Sequence, residues 1–180
     1  MPRSTSDRNE VLELDEIISL VKRELATAQN AAVSGPILEL TKVTVEMNVT
    51  STRSGDGKLK IGVPAWSVEA EGGSERELSS KLAVSLVPPA PTKKREVVNL
   101  EDFQIAQTIV DVRNQLQKGL DSEPHLEPQE FTLEIKFGVQ RKFGGKGELN
   151  LLFLSIGGSG QRVNALANTV KLEFSKPKTS

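Results

Sequence analysis

The side chains able to do chemistry are few and scattered. His125 is the only histidine, flanked by Glu123 and Glu127 in Ser122-Glu-Pro-His-Leu-Glu-Pro128. An imidazole between two carboxylates has the ligand types of a metal site, but a lone histidine in a proline-bounded connector offers one soft ligand and no fixed geometry. An exposed loop histidine accounts for it. With no second histidine and no cysteine, triads built on a His or Cys nucleophile are excluded within one chain. Ser159 in Gly157-Gly-Ser-Gly160 lacks the spacing of a nucleophile elbow and sits where a hairpin must turn. Lys142-Phe-Gly-Gly-Lys-Gly147 has the glycines of a phosphate loop, yet it lacks the Gly-Lys-Ser/Thr ending and precedes a strand, where a phosphate loop needs a helix N-terminus. Glu69, Glu71, Glu75 and Glu77 do not alternate as the oxygen ligands of a calcium loop do, and a solvated acidic turn explains them. The expectation is no catalytic, cofactor-binding or metal-ligating residue, no cofactor, and no enzyme activity.

Composition narrows the partners. Twenty-three Lys and Arg against 24 Asp and Glu leave a net charge of −1, so no global field draws the chain to nucleic acid or to anionic lipid. Lys93-Lys94-Arg95 reads as a solvated run, and six Phe with one Trp, mostly at inward strand positions, are a poor base-stacking platform. Residues 1–90 carry 10 basic and 13 acidic side chains and residues 91–180 carry 13 and 11, a small asymmetry that favours attraction between halves or subunits. The absence of cysteine removes disulfides and thiolate sites and points to the cytoplasm. Neither a signal peptide nor a run of about eighteen apolar residues is expected.

The elements that would position any site are written twice. Leu14, Ile17, Val21, Leu25 and Ala28 step by three or four, which predicts an amphipathic helix over about Glu10–Gln29. It ends near Asn30 and Gly35-Pro36. Val43, Val45, Met47 and Val49 alternate with Thr44, Glu46, Asn48 and Thr50 in a first strand. After the Ser54–Gly57 turn, Leu59, Ile61 and Val63 extend the apolar face to Pro64, a bulge or edge residue, and Leu82, Val84 and Leu86 form a third strand. The second half repeats the order. Asn99 and Asp102 suggest an N-cap, Ile105, Ile109, Val112, Leu116 and Leu120 a helix, and Phe131, Leu133, Ile135, Phe137 and Val139 a strand. Leu149–Ile156 and Asn168–Phe174 supply the last two strands, the latter with Val170, Leu172 and Phe174 inward.

The predicted fold class is α+β: a duplicated helix plus three-stranded antiparallel meander, the two units forming a pseudo-dimer. The expected organisation is a first unit over 10–89, a Pro-rich linker over 90–97 and a second unit over 98–177. A unit of some eighty residues buries too little surface to stand alone comfortably, so joined edges or packed faces are expected, and a homo-oligomer can form through other edges. Leu152 and Leu154, on the outward face of their strand, fit either a shared core or an exposed interaction patch.

A resemblance attaches to these stretches. Leu14-Asp-Glu-Ile-Ile-Ser-Leu-Val-Lys-Arg-Glu-Leu25, then Leu40-Thr-Lys-Val-Thr-Val-Glu-Met-Asn-Val49, then Lys58-Leu-Lys-Ile-Gly-Val63 leading into Leu82-Ala-Val-Ser-Leu-Val-Pro88, resemble the bacterial trypsin-co-occurring domain of the second type over most of residues 10–89. The second half, with Ile109-Val-Asp-Val-Arg-Asn-Gln-Leu116 and Phe-richer strands, resembles a diverged copy. The resemblance implies a non-catalytic adaptor or regulator of a peptidase or NTPase effector in bacterial conflict systems. The other reading is a peptide- or small-ligand-binding, chaperone-like protein with a groove between the units.

Overall fold

The computed structural model describes residues 11–31, 38–53, 55–65, 80–88, 99–124, 127–142, 144–156 and 167–176, with 52 and 153–156 by backbone only. The elements run β1 (Val11–Glu13), α1 (Leu14–Asn30), β2 (Glu39–Arg53), β3 (Leu59–Pro64), β4 (Ser80–Leu86), α2 (Gln104–Leu120), β5 (Glu130–Arg141), β6 (Gly147–Ile156) and β7 (Asn168–Ser175). Two helices and a curled antiparallel sheet make the fold α+β, with the helix-and-three-strand order present twice. The sequence periods explain both helical faces. Ile17, Val21, Leu25 and Ala28 of α1 and Ile105 and Ile109 of α2 are buried, and both helices pack on each other.

Strand order corrects the expected meander. In each unit the first strand is central. β2 pairs with β3 at Thr50–Arg53 and with β4 at Val43–Val49, and β5 pairs with β6 and with β7. Unit pairing is also not two-fold symmetric. β7 lies between β5 and β2, with Val170 opposite both Ile135 and Val45 and Leu172 opposite both Leu133 and Val43, whereas among the described residues β4 pairs with β2 alone. The physical reason lies in strand length. β3 takes only the last four residues of β2 and leaves its first half for β7, while ten-residue β6 runs along β5 from Leu133 to Arg141.

Burial follows this seam. Val43, Val45, Met47, Leu133, Ile135, Phe137, Val139, Val170 and Leu172 are essentially inaccessible and belong to one hydrophobic cluster that also contains both helices' inward residues. The core is therefore shared between halves, which settles part of the alternative posed by Leu152, half-buried here; the side chain of Leu154 lies outside the described residues. At the end of the seam Phe131 and Phe174 stack with ring centroids 4.4 Å apart, and the Arg113 guanidinium of α2 covers Phe174 at 5.5 Å.

Two further differences have local causes. The predicted helix start at Glu10 gives way to β1, which pairs Leu12 with Val63 and Glu13 with Gly62 and inserts the fully buried Leu12 into the core. The approach requires a glycine. A Cβ on Gly62 would collide with Val11 Cγ1 and would stand 2.7 Å from the Leu12 carbonyl oxygen. At α2, Asn99 does not cap the helix but accepts the Glu101 N–H in a preceding turn. The helix begins at Gln104 after Phe103, with no capping side chain of its own.

Candidate functional site

Several residues able to do chemistry lie outside the described residues: His125, Ser159, the glutamates at 69, 71, 75 and 77, and Lys93-Lys94-Arg95. Of the carboxylates beside His125, Glu127 accepts a 2.7 Å hydrogen bond from Lys176 Nζ, which holds its carboxyl below the usual value. The glycine-rich turn after Arg141 is a hairpin turn. Gly144 and Gly145 adopt positive φ, the Lys142 N–H donates to the Lys146 carbonyl at 2.7 Å and the Gly145 N–H to the Lys142 carbonyl at 3.0 Å. The Gly147 N–H donates to Glu16 Oε1 at 2.8 Å. A phosphate would find these amides taken and a carboxylate in its place. Among the described residues no group of three or more His, Cys, Asp or Glu is arranged to hold a metal ion, and no helix is long and apolar enough to cross a membrane.

Two buried polar arrangements join the repeats, and the sequence reading missed both. Asn48, on the face expected to be solvated, is buried; its backbone N–H donates to Asn168 Oδ1 at 2.9 Å and its Nδ2 to the Ala167 carbonyl at 3.0 Å. Glu24, also buried, reaches from α1 to the start of α2. Its Oε2 accepts the Ala106 N–H at 2.8 Å, and the Ile105 N–H also donates to it. The carboxylate thus does from the other repeat what an N-cap side chain does locally. Burial pushes the Glu24 carboxyl up to about 7, against the opposing pull of the two N–H donors. A signal for Glu24 existed: it lies three residues after Val21 and four before Ala28, inside the apolar stripe.

The two repeats differ in what they leave uncovered. The β5–β6 hairpin is docked on α1, through the Glu16–Gly147 hydrogen bond and an Arg141–Glu16 ion pair at 3.9 Å. The edge of β6 is further occupied by the Leu151 N–H donating to Gln104 Oε1 at 3.0 Å, which protects an otherwise open strand edge. The β2–β3 hairpin forms an arm instead. Every described side chain from Ser51 to Ile61 is exposed, including Leu59 at 59% and Ile61 at 44%. The register places Ile61 opposite Ser51 and Leu59 opposite Arg53, so one face of the arm carries two apolar side chains beside a cation. These residues were expected to continue the core; only Val63, nearer the helix, does.

Two helix-and-strand repeats fused through one shared strand, with an exposed apolar arm in the first, define a duplicated α+β module. The family model of trypsin-co-occurring domain 2 matches residues 12–88 and again residues 103–176. The chain belongs to that family, in two copies. No curated protein and no solved structure matches it.

Proposed function

We propose that this protein is a non-enzymatic interaction module, an adaptor or regulator of a peptidase or NTPase effector in a bacterial conflict system, acting in the cytoplasm. The observation that carries the reading is the β2–β3 arm, where Leu59 and Ile61 stand exposed beside Arg53 while the equivalent hairpin of the second repeat is docked on α1. Apolar side chains held in water on a hairpin gain free energy by entering a partner's groove, at about 25 cal/mol per Å² of apolar surface removed from water. The family's name, drawn from co-occurrence with trypsin, supports a peptidase as the first partner to seek.

The test is affinity isolation of the tagged chain from its own cells followed by native mass spectrometry, repeated with Leu59→Asp and Ile61→Asp. Because both side chains are already in water, the variants should melt like the parent. A single defined effector is expected with the parent and its loss with either variant. Undiminished retention by both variants, or a hydrolase or transferase activity of the chain abolished by one point change, would refute the reading. Recovery of mixed peptides instead would favour a groove between the units.

A further inference from the structure

We infer that two copies of this chain join through the outer edges of β4, antiparallel about a two-fold axis at Val84. This goes beyond the effector reading, which uses the arm of β2 and β3. β4 pairs with β2 from Ser80 to Leu86, and among the described residues its other edge has no strand partner. The counterpart of β4 in the second repeat is β7, which carries an antiparallel strand on both edges, one of them from the other repeat. The third strand of this repeat therefore already shows, within the chain, what its outer edge accepts. A second copy can offer β4 itself. β2, β5 and β7 are flanked on both sides, the edge of β6 donates to Glu16 and Gln104, and β1 is only 3 residues long.

The sequence of β4 is self-complementary about Val84. Leu82 falls opposite Leu86 of the second copy, Ala83 opposite Ser85, and Val84 opposite itself, while Lys81, the strand's one charge, meets Val87 and not its own copy. An axis normal to the sheet keeps each face on its own side. Leu82, Val84 and Leu86, half-buried in the single chain, would then complete one another's burial as cross-strand pairs. A seven-residue pairing is a small interface, of the class that associates in the micromolar range.

Sedimentation equilibrium of the full chain at micromolar concentrations should approach twice the 19.6 kDa monomer mass. Ala83 and Ser85 are exposed, but Ala83 lies opposite Glu46 of β2, so A83E also sets like charges opposite each other within the monomer, and thermal melts must show that A83E/S85E and A83E/S85K both stay folded. A83E/S85E sets like charges opposite each other twice and should yield monomer; A83E/S85K sets opposite charges in the same places and should restore the dimer. In this cysteine-free chain, V84C should also close an intermolecular disulfide on oxidation. The inference is overturned if the parent sediments as monomer throughout, if A83E/S85E sediments like the parent, or if A83E/S85K fails to restore association. A parent chain that stays monomeric while it still binds the effector through Leu59 and Ile61 would remove this inference alone, and a dimeric parent that binds no effector would remove only the effector reading.

Discussion

Glutamine at position 24 should remove a pH dependence that the parent carries. In the folded chain Glu24 is 6% exposed, and desolvation raises its carboxyl from 4.5 to about 7 against the pull of the Ala106 and Ile105 N–H groups. The unfolded carboxyl ionises near its ordinary value, so between those two pH values the folded state holds a proton that the unfolded state has lost. Its contribution to stability is complete below pH 4.5 and declines as pH rises through about 7. At about 1.4 kcal/mol for each tenfold change in proton affinity, the full swing is on the order of 3 kcal/mol. Glu24→Gln keeps an oxygen to accept the Ala106 N–H and cannot ionise. Urea denaturation of parent and variant from pH 4.5 to pH 8 is the assay, and the difference between the two stabilities is the quantity to read. That difference should move in the variant's favour as pH rises. Parallel curves, or a parent that gains on the variant with rising pH, would show that the two N–H donors and the α2 dipole keep Glu24 ionised, and the desolvation argument would fail.

Gly62→Ala should destabilise by about 1–3 kcal/mol, since the new methyl meets the Leu12 carbonyl and β1 must shift; an unchanged urea midpoint would contradict the β1–β3 pairing. Asn168→Ala leaves the buried Asn48 N–H without an acceptor, at about 1–3 kcal/mol, while hydrogen exchange at Asn48 should quicken more than at Val139. Cleaving the chain between Pro88 and Asn99 after folding should leave the fragments associated in equal ratio on gel filtration, because β7 pairs with β2 across the cut; fragments eluting separately would refute a shared core.

Periodicity made the stripes legible, because each is a local record of which face meets oil. Ile17, Val21 and Leu25, Ile105 and Ile109, and the alternating Leu133, Ile135, Phe137 and Val139 all lie in the core. The duplication was legible for the same reason. Strand order was not, because alternation states which face is buried and is silent about which edge is paired; β7 between β2 and β5 is fixed by the unequal lengths of β3 and β6. Leu59 and Ile61 show the same limit, since period two continues past the point where the core ends. Asn48 reads as a solvated residue between Glu46 and Thr50, and its buried side chain is satisfied by the Ala167 carbonyl, 119 residues away. Lys142–Gly147 is legible as a turn because the chain leaves it as a strand and not as a helix.

The placement of β7 has a consequence for synthesis on the ribosome. The strand that separates β2 from β5 is translated after every other described element, so the first half of β2 waits with an unpaired edge while residues 54–167 are made. At ~5–20 residues per second that interval is on the order of ten seconds. Nascent chains stalled before Asn168 should accordingly present two sticky edges, those of β2 and β5, to holdase chaperones and to one another on polysomes. Release from those chaperones should coincide with emergence of Val170 and Leu172, which crosslinking of chains stalled on either side of that point would time.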